Sequence, residues 1–153
     1  MPGVRPPAVG LTEGGVASPR VVELLVKPGP TAPAAARGAV DCLGGSVPPD
    51  VLVDLRLIAS ELVTYGVLNG AGAEAGPMRL RLSREAPVTR LEIESSGPSE
   101  DIDGARLLGR DASAHLRLRL IERVADRWGA ELRRAPLVWL EIHDRDGARD
   151  PRA

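Results

Sequence analysis

The chain lacks phenylalanine, has one cysteine and one lysine, and only 2% of its 153 residues are aromatic. Leucine, valine, isoleucine and alanine must therefore fill any hydrophobic core. The single cysteine, Cys42, excludes an internal disulfide, and its alanine-rich surroundings predict a buried, inert thiol. No apolar run approaches the roughly 20 residues of a membrane-spanning helix, and the N-terminus shows no signal-peptide pattern, so we expect a cytoplasmic protein.

An excess of charge of one sign is also missing. The formal net charge is −1, so the composition does not indicate a nucleic acid or an anionic membrane as a partner. His115 and His143 have no cysteine, histidine or carboxylate companions at ligand spacing, so we predict no metal site of that kind.

The length suits one domain with its own core. Residues 1–19 are rich in proline and glycine, and we predict a disordered arm. Residues 144–153, DRDGARDPRA, predict a charged disordered tail. The folded domain is therefore expected to span residues 20–143.

Hydrophobic periodicity and breaker residues predict the secondary structure of this domain. An alanine-rich helix should begin at Thr31, whose side chain can cap it, and a later helix should end at Gly129 with Leu116, Leu120, Ile121 and Val124 on one side. The predicted elements are a strand at 20–27, helices at 31–43, 50–69 and 113–128, hairpin strands at 78–84 and 88–95, and strands at 131–134 and 137–143. Antiparallel hairpins with helices on one face predict an α+β fold, a two-layer sandwich with a mostly antiparallel sheet.

Four segments in this order, ELVTYGVLNG, LEIESSGP, RLIERVADRWG and VWLEI, resemble the histidine-kinase-like ATPases, which have the Bergerat fold. The nearest branch is that of the anti-sigma-factor serine kinases. In that family one helix carries a glutamate general base and a magnesium-binding asparagine. A strand end supplies an aspartate for adenine, and glycines before the next helix let the backbone approach the phosphates.

On the helix, the resemblance aligns Glu61 with the family's general base. Tyr65 stands where the magnesium asparagine belongs, and a neutral phenol is a poor magnesium ligand. Asn69 lies one turn away, about 6 Å along the axis, which is too far for a direct replacement. Asp54, Glu61, Tyr65 and Asn69 share an arc of about 80° that faces the nucleotide cavity in the family.

The remaining pocket positions are also altered. Ser95 replaces the adenine aspartate, Gly97 matches the first glycine of that box, and Ser99 replaces the second. His115 and Arg117 occupy the positions of the phosphate-loop glycines. We therefore interpret Glu61 as a vestigial base in a remnant pocket and expect neither a cofactor nor a bound metal.

The resemblance implies three hypotheses about function. The first is a non-catalytic, pseudo-kinase regulator that binds a sigma factor or an anti-sigma antagonist protein. The second is a divergent ATP-dependent protein serine kinase that uses Glu61, with ATP and magnesium held through Asp54 or Asn69. The third is a sensor whose cavity, lined by Tyr65, Ser95 and His115, binds another small molecule. A homodimer is a further implication of the resemblance.

Overall fold

The computed structural model describes residues 20–69, 76–95, 114–132 and 135–145. Within these ranges the fold is α+β, with five strands and three helices, which confirms the predicted class. The elements are β1 (Arg20–Val26), α1 (Ala32–Asp41), α2 (Pro49–Asn69), β2 (Met78–Glu85), β3 (Val88–Glu94), α3 (Ala114–Val124), β4 (Arg127–Leu132) and β5 (Pro136–His143). The assignment to the Bergerat fold and the predicted arm and tail boundaries stay predictions.

The strands form one sheet in the order β1-β2-β3-β5-β4, and every neighbouring pair is antiparallel. Leu82, Leu91 and Leu140 are aligned across the three central strands, and each is at most 1% exposed. Since alternate residues of a strand point to the same face, this row marks the face of the sheet that is buried in the core.

The helices complete the core on that face. Val40 of α1, Leu55 and Ile58 of α2 and Ile121 of α3 are all 0% exposed and belong to one hydrophobic cluster with the inner sheet residues. As expected from the composition, the buried hydrophobic residues among those described are aliphatic or methionine. The prediction that Thr31 caps α1 is wrong, because its side chain makes no capping hydrogen bond.

The end of α3 also differs from the prediction. The helix ends at Val124, and the sequence up to Gly129 is not helical. The amide of Asp126 instead donates to the carbonyl of Glu141 at 2.9 Å, where the chain joins the sheet. Gly129 lies in β4 opposite Trp139, and a Cβ there would come within 2.8 Å of the indole. Glycine is needed here for close packing, not to terminate a helix.

Two predictions of burial are wrong. Leu116 is 67% exposed, because the buried stripe of α3 is shifted by one residue: Arg117, not Leu116, is in phase with Ile121 at about 100° per residue. Cys42 is exposed. It directly follows the last residue of α1, and its thiol donates to the carbonyl of Gly38 at 3.4 Å.

Candidate functional site

Glu61, the predicted vestigial base, lies in α2 on the side of the helix that the core does not cover. Its side chain is exposed, whereas Ile58 and Leu62, on either side of it in the sequence, are 0% and 6% exposed. The local structure follows from the helical repeat, because residues three and four apart return to the same face. Glu61 therefore lies at an open surface of the helix.

The surface around Glu61 combines two apolar and three acidic residues. Val53 is 63% exposed and Leu57 is 46% exposed, one turn apart. At about 100° per residue, Asp50, Asp54 and Glu61 fall within about 40° of one another, beside these two side chains. We call these five residues the α2 outer face.

The polar neighbours of this face are satisfied within the chain. The hydroxyl of Ser60 donates to the carbonyl of Leu57 at 3.1 Å, and that of Thr64 donates to the carbonyl of Ser60 at 2.6 Å. Arg56, the single basic residue of α2, pairs with Asp41 of α1 at 2.5 Å. Arg56 is thus held toward α1 by its carboxylate partner.

Two other predicted positions are described by the structure. Ser95 directly follows β3 and is half-buried. Arg117 is only 8% exposed and interacts with other groups of the chain. The helix that carries Glu61 contacts both β3, which Ser95 directly follows, and α3, which carries Arg117.

Five further predicted positions lie, wholly or in their side chains, outside the part of the chain that the structure describes. The side chains of Tyr65, Asn69 and His115 lie outside the described part of the structure, as do Gly97 and Ser99. In the described part of the chain, no group of three or more histidine, cysteine, aspartate or glutamate residues is arranged to hold a metal ion. Nor does any described helix have the length and apolar character needed to cross a membrane.

The outer face of the sheet carries paired charges around Trp139. Arg90 donates to Glu92 at 2.8 Å and to Glu141 at 2.9 Å, and its guanidinium lies 4.3 Å from the centre of the Trp139 ring, within the range of a cation–π interaction. Burial alone would lower the pKa of Arg90, but the hydrogen bonds and negative charges of its two partners outweigh it and raise that pKa. Glu141 also lies 3.5 Å from Arg127.

The same pattern continues to the edge of the sheet. Arg81 lies 3.2 Å from Glu23 and 3.5 Å from Glu92. Acidic and basic side chains therefore alternate across β1, β2, β3 and β5 and neutralise one another. Sequence reasoning found the alternation of these strands but not these pairs, since cross-strand neighbours depend on the register.

Sequence reasoning also missed the exposure of Val53 and Leu57. A signal was present, because the segment VLVDLRLI places apolar residues on more of the helix than one core-facing stripe requires.

In comparisons with known proteins, no protein-family model and no curated protein matches the chain at a significant level. The relation to the histidine-kinase-like ATPases therefore stays a prediction from the motifs.

Proposed function

We propose that this protein is a non-catalytic regulator of the anti-sigma-factor kind, which acts by binding a sigma factor or an anti-sigma antagonist protein. The observation that carries the proposal is the setting of Glu61. It is solvent-exposed on α2, beside the exposed apolar side chains of Val53 and Leu57. A surface of this kind suits contact with another protein.

A kinase would require a different setting. Phosphoryl transfer depends on positioning and on electrostatic stabilisation of the reacting groups by metal ions and preorganised donors. Tyr65 offers no carbonyl oxygen for magnesium, and Ser95 has no charge with which to strengthen a hydrogen bond to adenine. These replacements support a scaffold that has kept its protein-binding role without the chemistry.

Calorimetric titration with ATP and magnesium tests the loss of the nucleotide site. A functional site at 100 times its dissociation constant would add about 2.7 kcal/mol to the free energy of unfolding, so a melting curve at millimolar nucleotide provides a second readout. We expect no heat of binding and no shift in melting temperature. Glu61→Ala is the matched variant and should behave identically.

The positive part of the test is complex formation. Purified chain and candidate sigma factors or antagonist proteins, mixed without nucleotide, should form a stable complex in size-exclusion chromatography. ATP binding that disappears with EDTA and with Glu61→Ala would contradict the proposal and favour the kinase. Transfer of the γ-phosphate to a serine of the antagonist would establish the kinase directly.

A further inference from the structure

We propose that β1 pairs antiparallel with β1 of a second copy of this chain, about a two-fold axis at Glu23, so that the two five-stranded sheets become one continuous sheet. This inference goes beyond the proposed function and does not rest on it. Three features of β1 support it: an open edge, a hydrophobic pattern that matches itself when the strand is reversed, and a central charge that each copy pairs with its own Arg81.

The first feature is the open edge of the sheet. Among the described strands, β1 pairs with β2 alone and lies at one end of the strand order. Such an edge presents unpaired backbone groups and can accept a strand from another chain. Val21 and Leu25 are 49% and 61% exposed, and Val22 and Leu24 are only partly buried. A second strand on this edge would cover apolar side chains together with the backbone groups.

The second feature is the order of side chains in RVVELLV. Residues directly opposite each other in an antiparallel pair lie on the same face, and the side chains of each strand alternate between faces. A two-fold axis perpendicular to the sheet therefore has to pass between two copies of one residue. An axis at Glu23 pairs all seven residues of the strand, and an axis one residue to either side pairs fewer.

The axis at Glu23 also places aliphatic side chains opposite aliphatic side chains. Val21 then faces Leu25 of the second copy on the outer side of the sheet, and Val22 faces Leu24 on the inner side. With the axis at Val22, Glu23 would instead face Val21, and with the axis at Leu24 it would face Leu25. Because cross-strand packing stabilises a sheet, the sequence of β1 favours the register centred on Glu23.

The third feature is the charge at the axis. This register brings Glu23 opposite Glu23 of the second copy, and like charges directly opposite each other are destabilising. Arg81 of β2 is the cross-strand neighbour of Glu23 and lies 3.2 Å from it, so each copy brings its own counter-charge to the axis. Each glutamate therefore meets the other as half of an existing ion pair, and the pairing requires no new one.

The other charges near the edge are compatible with this register. Arg79 is exposed and lies opposite Leu25, but it belongs to β2. Its counterpart in the second copy is three strand spacings away, about 14 Å between backbones, which exceeds the Debye length of about 10 Å at 0.1 M salt. Arg20, at the start of β1, faces Val26 of the second copy, and Lys27 lies beyond the last of these pairs.

Disulfide cross-linking of the full-length protein tests the axis, in a Cys42→Ser background because Cys42 is exposed. The residue on the axis faces itself, with Cα atoms about 4.5–5.5 Å apart in an antiparallel pair, a distance that a disulfide spans. Glu23→Cys should therefore give a covalent dimer on mild oxidation. Val21→Cys alone should not, because its two copies are offset by about 13 Å along the strands, and Leu25→Cys alone should not for the same reason.

A mixture of the Val21→Cys and Leu25→Cys chains is the matched control for the register. These residues face each other in the proposed pairing, so the mixture should form a disulfide that joins one chain of each kind. This pair lies two residues from the axis and belongs to the same hydrogen-bonding class of the ladder as the Glu23 pair. Mass spectrometry of the oxidised mixture identifies the cross-link.

The dissociation constant, measured by sedimentation equilibrium without cross-linking, tests the side chains. Val21→Ser with Leu25→Ser should weaken the dimer at least about tenfold, because the apolar contacts are lost. Glu23→Gln should tighten it about threefold, because the like charges at the axis are removed. The control is Val53→Ser with Leu57→Ser, which removes an exposed apolar pair from α2 and should leave the constant within about twofold. Unchanged circular dichroism melting curves verify that every variant is folded.

Three results would each overturn the strand pairing: a chain that stays monomeric at millimolar concentration, Val21→Cys that cross-links alone as well as Glu23→Cys does, or an equal loss of dimer in the α2 control. The proposed function fails differently. A sigma-factor complex formed by a chain that never dimerises overturns only the strand pairing. Magnesium-dependent ATP binding by a dimer with the expected cross-links overturns only the proposed function.

Discussion

Replacing Asp144 with alanine removes both carboxylate oxygens that hold the buried guanidinium of Arg84. Arg84 is 7% exposed, and its Nη1 and Nη2 donate to Oδ1 and Oδ2 of Asp144, each at 2.6 Å. Two further bonds, from Nε to the carbonyl of Ser46 at 3.0 Å and from Nη1 to the hydroxyl of Thr89 at 3.1 Å, fix its orientation. The pair thus ties the end of β5 to β2, β3 and the α1–α2 connection.

The cost of Asp144→Ala follows from the charge that is left behind. Each charge-assisted hydrogen bond contributes about 1.5–3 kcal/mol, and breaking a buried ion pair from one side costs about 3–5 kcal/mol. The side chain of Asp144 is 22% exposed, so water can partly replace it and the lower end of that range applies. We therefore expect a loss of about 3 kcal/mol, a large part of the roughly 5–15 kcal/mol that stabilises a domain.

Urea denaturation followed by circular dichroism measures this loss. With a slope of about 1–3 kcal/mol per molar urea, the midpoint should fall by about 1–3 M. Glu23→Ala is the control, because its ion pair with Arg81 joins side chains that are 57% and 40% exposed and is expected to contribute at most about 1 kcal/mol. If Asp144→Ala costs no more than Glu23→Ala, the reasoning is refuted.

Two further predictions concern the packing and charge of the sheet. Gly129→Ala should destabilise the fold by about 1–3 kcal/mol, because the new Cβ meets the indole of Trp139. Gly38→Ala, in open space on a helix, should instead stabilise it by about 1 kcal/mol. Thermal melts of both variants show whether each is destabilised or stabilised, and an unchanged melting temperature for Gly129→Ala would contradict the close packing of Gly129 against Trp139. Because the pKa of Arg90 is raised above its ordinary value, the stabilisation that its charge provides is complete below that ordinary value and is lost only when the pH rises through the raised pKa. Arg90→Met should therefore cost the same at pH 6 and pH 9 in urea titrations, and a cost that changes between them would show that another group controls the pair.

The strands of the central hairpin could be predicted from the sequence because a half-buried strand alternates with a period of two. MRLRLSR places Met78, Leu80, Leu82 and Arg84 on one face, and the structure buries all four. The ion pair of Arg84 could not be predicted, since its partner lies 60 residues later and is the first residue of the segment predicted to be a tail. Local patterns indicate the face of a residue; they do not identify a distant partner.

The boundary between α3 and β4 shows the same limit. The residues that follow Val124 contain no proline or glycine before Gly129, so local propensity continues the helix. Pairing with β5 outweighs that preference, because β4 gains a ladder of backbone hydrogen bonds and buries part of Trp128 in the core. Tertiary contacts routinely override helix propensity in this way. Tertiary packing also determines which side of α3 is buried, and Leu116 lies on the exposed side.

The two sides of α2 contribute differently to the fold. Val51, Leu55, Ile58 and Leu62 bury one side of the helix, which satisfies the needs of the fold. Exposed apolar residues on the opposite side weaken solubility without stabilising the isolated domain. The exposed carboxylates of Asp50 and Glu61 on the same side offset that liability, because charged side chains keep a surface hydrated. The composition of this side of α2 therefore reflects its contact with water, whereas the opposite side is set by the packing of the core.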